Sequence, residues 1–116
     1  MGELTDAALA GWAGAWSQRN AEAVLDRYRV DAVLLWVGVT PDSVWGHLAL
    51  RDFLAVELEA ASDCEASFGP TIGPDQSRCG ASFLLRRDGW TYEGFGFFRV
   101  SNNGLIEIDR RYPGPR

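Results

Sequence analysis

The apolar residues of this chain change their period at one place. Up to Ser62-Asp63 they recur every three or four positions, interrupted by one short apolar run, and from Cys64 onward they recur every second position. Helices are therefore expected first and strands last. Thr5 is expected to cap a first helix carrying the stripe Leu9, Trp12, Ala13 and Trp16 and running to about Gln18. Asn20 should cap a shorter second helix, with Val24, Leu25 and Tyr28 on one face and Arg27 and Arg29 near its C-terminal end, where the macrodipole favours positive charge. The run Ala32 to Val37 reads as a buried strand, and Pro41-Asp42 centres a turn. A third helix is expected after Gly46, with Leu50, Phe53, Leu54, Glu57, Leu58 and Ala61 on one face. Beyond it, Gly69-Pro70 marks an irregularity. Gly73-Pro74-Asp75-Gln76, Asp88-Gly89 and Asn102-Asn103-Gly104 are turns that join the later strands into an antiparallel meander. The order predicts an α+β fold with helices packed on one side of a curved sheet.

Composition removes several functions. A length of 116 residues with 47% hydrophobic and 23% charged side chains suits one globular domain over the whole chain, 1–116. All 11 basic residues are arginine, so Schiff-base chemistry and a phosphate-binding lysine have no residue to use. His47 is the only histidine, which excludes a histidine-built metal cluster, and no cofactor is expected. A net charge of −5 repels nucleic acid and anionic membranes, so neither is expected as a partner. The acidic start Gly2-Glu3-Leu4-Thr5-Asp6 does not resemble a signal peptide, and the reading is a cytoplasmic protein in which Cys64 and Cys79 stay free thiols.

In the strand after Asp88-Gly89, alternation sets Trp90, Tyr92, Gly94, Gly96, Phe98 and Val100 on one face and Thr91, Glu93, Phe95, Phe97 and Arg99 on the other. Two glycines at successive same-face positions leave either a sharp bend or a hollow. Phe95 and Phe97 on the opposite face are a candidate homodimer contact. In the last strand, periodicity alone buries Ile106, Ile108 and Tyr112 and turns Glu107, Asp109 and Arg111 toward water.

Several stretches, in order, resemble the nuclear transport factor 2-like superfamily, and within it the SnoaL-like polyketide cyclases and ketosteroid isomerases. They are Trp16 to Tyr28 leading to Val30-Asp31-Ala32-Val33, Gly46 to Phe53, Phe98 to Ile106, and Arg110-Arg111-Tyr112. The resemblance implies a cone: a strongly curved, mainly antiparallel sheet with three helices in its concave side, a ligand pocket within, and a dimer through the outer sheet face. It also implies that the face carrying Asp109 and Arg111 points into the cone. The isomerase's catalytic positions fall here on Trp36 for the general base, Trp12 for the oxyanion tyrosine and Gly96 for the protonated aspartate, so that mechanism has lost its residues. The cyclase and epoxide hydrolase pocket aspartate falls at Arg111, and the nearest match to the hydrolases' Arg-x-Asp pair, Arg78-Cys79-Gly80, lacks the carboxylate.

If Asp109 and Arg111 face inward they can form an ion pair, and they are the candidate catalytic residues. Asp109 would remove a proton alpha to a carbonyl, while Arg111 with Tyr28 or Tyr92 would stabilise the enolate. Trp12, Trp16, Tyr28, Trp36, Phe53, Trp90 and Tyr92 are the candidate contacts to a hydrophobic or aromatic small molecule. The alternatives are a binding module in which the pair only orients a ligand, and a dimeric scaffold whose cone is filled by its own tryptophans.

Overall fold

The computed structural model describes residues 3–114. The elements run α1 (Glu3–Ser17), α2 (Ala21–Leu25), β1 (Tyr28–Trp36), β2 (Val44–Trp45), α3 (Gly46–Leu58), β3 (Cys64–Phe68), β4 (Arg78–Arg87), β5 (Trp90–Val100) and β6 (Ile106–Pro113). The strands form one six-stranded curved sheet in the order β2-β1-β6-β5-β4-β3, antiparallel except where β1 runs parallel to β6. The α1 helix packs on β3 and β5, and α3 packs on β1. The fold is α+β, as the order of periods predicts. Among the described residues no helix is long and apolar enough to cross a membrane.

Local chemistry accounts for most boundaries. Asn20 caps α2 by accepting a hydrogen bond from the Ala23 N–H at 3.0 Å. Asp88 and Gly89 both take positive φ, 51° and 91°, the geometry of a primed two-residue hairpin turn. Two expected boundaries are corrected. Thr5 lies inside α1 instead of capping it, and its side chain is buried near Cys79. Tyr28 is not on the second helix but opens β1, because Tyr28 pairs with Ile106 and the Ile106 N–H donates to the Arg27 carbonyl at 2.8 Å. Tertiary strand pairing overrides a helical pattern that α2 alone was too short to sustain. Cys64 and Cys79 are free thiols.

The larger correction concerns β6. Val100 pairs with Ile106 while Arg99 pairs with Ile108, so Glu107 is one residue too many for β5. It forms a bulge, gripped from outside by Arg29 at 2.7 Å and Arg99 at 2.9 Å. Past the bulge every side chain changes face. Ile108 and Tyr112, expected to be buried, lie on the outer side with Arg110, and Asp109 and Arg111 turn into the cone opposite Phe98 and Gly96.

The expected gap at the two glycines is a bend and a filled space, with no hollow at either position. A Cβ on Gly94 would meet the Tyr112 carbonyl oxygen at 1.9 Å, because β6 curls across this position. A Cβ on Gly96 would meet the Phe98 ring at 2.7 Å. On the opposite face Phe95, Phe97 and Tyr112 are 39%, 52% and 38% exposed and pack edge to face with one another, so the cluster is displayed to solvent. Gly96→Ala, which asks only a ring to move, is expected to cost about 1–3 kcal/mol of stability, as overpacking does. Gly94→Ala should cost more because backbone stands in the way. Urea unfolding of the two variants measures the difference, and equal losses would mean that the close approach of β6 does not hold the bend.

Candidate functional site

Asp109 and Arg111 sit two residues apart on β6, so strand pleating puts them on the same face. Both side chains are essentially without solvent contact, and each residue is 0% exposed. The guanidinium grips the carboxylate with two hydrogen bonds, Nε to Oδ1 at 2.9 Å and Nη2 to Oδ2 at 3.1 Å. From the first residue of β1, the Tyr28 hydroxyl donates to Asp109 Oδ2 at 2.6 Å, and in turn accepts from the Trp12 indole N–H on α1 at 2.9 Å. His47, at the start of α3, holds this strand end through Nε2, 2.7 Å from the Tyr28 carbonyl oxygen.

Aromatic faces complete the cluster. The Arg111 guanidinium carbon lies 4.2 Å from the Trp12 ring centre and 4.5 Å from that of Trp36, with Phe68, Phe83 and Phe98 at 5.2 to 5.4 Å. Cation–π attraction in a desolvated place of this kind contributes on the order of 2 kcal/mol. Two donors remain unanswered: Arg111 Nη1 and the Trp36 indole Nε1 are buried without a hydrogen-bond partner among the described residues.

The inward reading of Asp109 and Arg111 agrees with these positions, as does the expected ion pair. Trp12, Trp16, Tyr28 and Trp36 are gathered around the pair, with Trp16 stacked on Trp12 at 5.3 Å. Phe53 and Tyr92 pack against Trp36, at 5.2 and 6.2 Å between ring centres. Trp90 stands one layer further out, stacked on Tyr92 and covered by Arg87. Neither tyrosine is a free oxyanion donor. The proton of Tyr28 goes to Asp109, and the Tyr92 hydroxyl lies 2.7 Å from the Val37 carbonyl oxygen and 3.2 Å from that of Arg111. Phe68, Phe83 and Phe98 are the guanidinium contacts that the candidate list lacked. Phe98 was legible from alternation on β5, whereas Phe68 stands at an irregular strand end with no such signal. Among the described residues no three histidine, cysteine or acidic side chains converge as a metal site would need.

The sequence matches no known family and no curated protein sequence. Its fold does find matches. The Δ5-3-ketosteroid isomerase from Mycobacterium sp. superposes with a TM-score of 0.81 at 20% identity, over 94% of this chain and 92% of that one. This is the ketosteroid isomerase-like, nuclear transport factor 2-like fold. The epoxide hydrolase/cyclase-like enzyme SalBIII, of pyran ring formation in the polyether salinomycin, shares it with a TM-score of 0.80 at 15% identity, over 98% and 95% of the two chains. A computationally designed 17-OHP binder does so at 0.82 and 17% identity, over 97% and 92%. At these identities the likeness is one of fold. Within this fold, the resemblance's general-base and oxyanion-tyrosine positions, Trp36 and Trp12, are the two indoles that clamp Arg111.

Two expectations test the cluster. Arg111→Met leaves the Asp109 charge buried with only Tyr28 as partner and is expected to lower stability by about 3–5 kcal/mol. Asp109→Asn/Arg111→Met removes both charges and should lose distinctly less than the two single changes summed. Chemical denaturation of the three variants reads this, and additive losses would show that the two side chains do not act as a pair.

The second expectation follows from the tyrosines. Burial, and after it the Asp109 carboxylate, pushes the Tyr28 hydroxyl well above its ordinary value of 10.0, and burial pushes that of Tyr92 up to about 12. Both groups thus hold their protons more tightly in the folded chain. Their contribution to stability is complete below pH of about 10 and is lost as pH rises from there through about 12 and beyond. Absorbance of phenolate should therefore show Tyr28 ionising only together with unfolding, and Tyr92 ionising at about pH 12. Titration of Tyr28 in a chain whose circular dichroism stays native would contradict the burial argument.

Proposed function

We propose that this protein binds one small, largely apolar molecule bearing a hydrogen-bond acceptor oxygen, in the interior of its cone. The observation that carries the reading is Arg111, a fully buried cation with one amino nitrogen left without an acceptor. A buried donor without a partner costs on the order of 1–3 kcal/mol, which an arriving carbonyl, carboxylate or enolate oxygen would recover. The unpartnered Trp36 indole N–H beside it supports the same class of ligand. Apolar walls with a few converging donors are the usual make-up of a small-molecule site. Phe53, Phe68 and Trp90 are half-buried, and their displacement would be the way in.

Proton abstraction by Asp109 is the second reading, favoured by the adjacency of a carboxylate and a guanidinium in apolar surroundings. Against it, Asp109 already accepts from Tyr28 and twice from Arg111, so its lone pairs are largely committed. The binding reading is the stronger for that reason.

Titration with a steroid ketone and with a planar aromatic ketone, followed by tryptophan emission and calorimetry, is the test. Saturable one-site binding that shifts the indole emission is expected, and Arg111→Lys, which keeps the charge but loses the planar fork, should weaken it about tenfold. Unchanged emission and no heat with either ketone would leave a cone filled by its own side chains and overturn the reading. Proton exchange at the ketone α-carbon in heavy water, if present and abolished by Asp109→Asn, would make the protein an enzyme instead.

A further inference from the structure

The charge of the buried cluster bears on which oxygen it can receive. Asp109 and Arg111 neutralise one another, and each is 0% exposed, so the pair carries no net charge and has no solvent around it. Asp109 accepts from Tyr28 and twice from Arg111, and the Tyr28 hydroxyl accepts from Trp12. Arg111 Nη1 and Trp36 Nε1 are the donors left over in this cluster, with the guanidinium carbon 4.5 Å from the centre of the Trp36 ring.

Two donors suit a carbonyl oxygen, which has two lone pairs. A carboxylate offers about four acceptor sites, and about half of them would go without a donor here. Charge weighs the same way. A carboxylate at Arg111 would turn a neutral cluster into a net anion, and it must give up its hydration for the attraction of a guanidinium that Asp109 already shares. The cluster resists negative charge beside Asp109 in one place already. Burial first, and the Asp109 carboxylate after it, push the Tyr28 hydroxyl well above 10.0, and the opposing pull of Arg111 is the smaller.

The surface next to the cluster has the same bias. Phe68 lies 5.3 Å from the guanidinium carbon and also lines a recess of about 230 Å³ between α1 and the end of β3. Leu9, Ala10 and Ala13 give that recess apolar walls. Among the described residues that line it, Asp6 is the one charged group, and its carboxylate accepts from the Thr71 hydroxyl at 2.6 Å.

We propose that the site selects by charge: it takes an uncharged carbonyl oxygen, as in a ketone or an ester, and rejects a carboxylate of the same shape. This rests on the binding reading above and narrows it. Asp109 is then a specificity determinant, because it cancels the charge that would otherwise draw an anion to Arg111.

The test is a matched pair, 2-acetylnaphthalene and 2-naphthoate, titrated into the whole protein near neutral pH with the indole N–H resonance of Trp36 as the local readout. The ketone should shift that resonance with saturation, and naphthoate should act on it about a hundredfold more weakly or not at all. Asp109→Asn leaves Arg111 an uncancelled cation, and with native circular dichroism it should bring naphthoate to at least the strength of the ketone. Naphthoate that saturates the same resonance of the unaltered chain as readily as the ketone does would overturn the charge selection and leave the binding reading standing. Silence of the resonance toward both compounds would overturn the two together. An unchanged preference in folded Asp109→Asn would overturn the role of Asp109, and if that variant does not fold, the comparison in the unaltered chain decides by itself.

Discussion

One buried ion pair organises the interior. Removing a carboxylate and a guanidinium from water costs several kcal/mol for each, and mutual attraction recovers that only when geometry is good and remaining polar atoms are met. Here the fork is bidentate, Tyr28 supplies a third donor, and the two indole faces of Trp12 and Trp36 stand in for water around the cation. Because α1, β1 and β6 each contribute a member, the pair also specifies how these elements meet. A neutral pair of similar volume would fill the same space without dictating which tyrosine or which tryptophan approaches.

The same pair limits the chemistry available. A carboxylate that accepts three hydrogen bonds and sees no solvent is poorly prepared to take a substrate proton, whereas a guanidinium with one unanswered nitrogen is prepared to receive an oxygen. The large side chains that occupy the cone in place of acids and bases point the same way. Trp12 and Trp36 close over the guanidinium, and an indole has no carboxylate or phenol to offer.

Inside and outside faces obey the same logic with different results. Inside, every space opened by a glycine is taken: by backbone at Gly94 and by a ring at Gly96. Outside, the Phe95 ring covers Gly80 just as closely, but the rings of this face stay exposed to solvent.

Much of this was readable from residues alone. The change of period separated helices from strands, alternation on β5 sorted its inner from its outer face residue by residue, and Asp88-Gly89 declared its turn through the conformations those residues tolerate. These are local properties, and the sequence by itself determined them. It also determined that no lysine and no second histidine could enter the chemistry. What only the tertiary structure decided was where Asp109 and Arg111 look. Periodicity read alone turned them outward with Glu107, and the family resemblance turned them inward without a cause. The cause is the bulge at Glu107, held by Arg29 from β1 and Arg99 from β5. A single inserted residue reverses the faces of a strand, and the charges that hold it in place come from partners that become neighbours only once the sheet has formed.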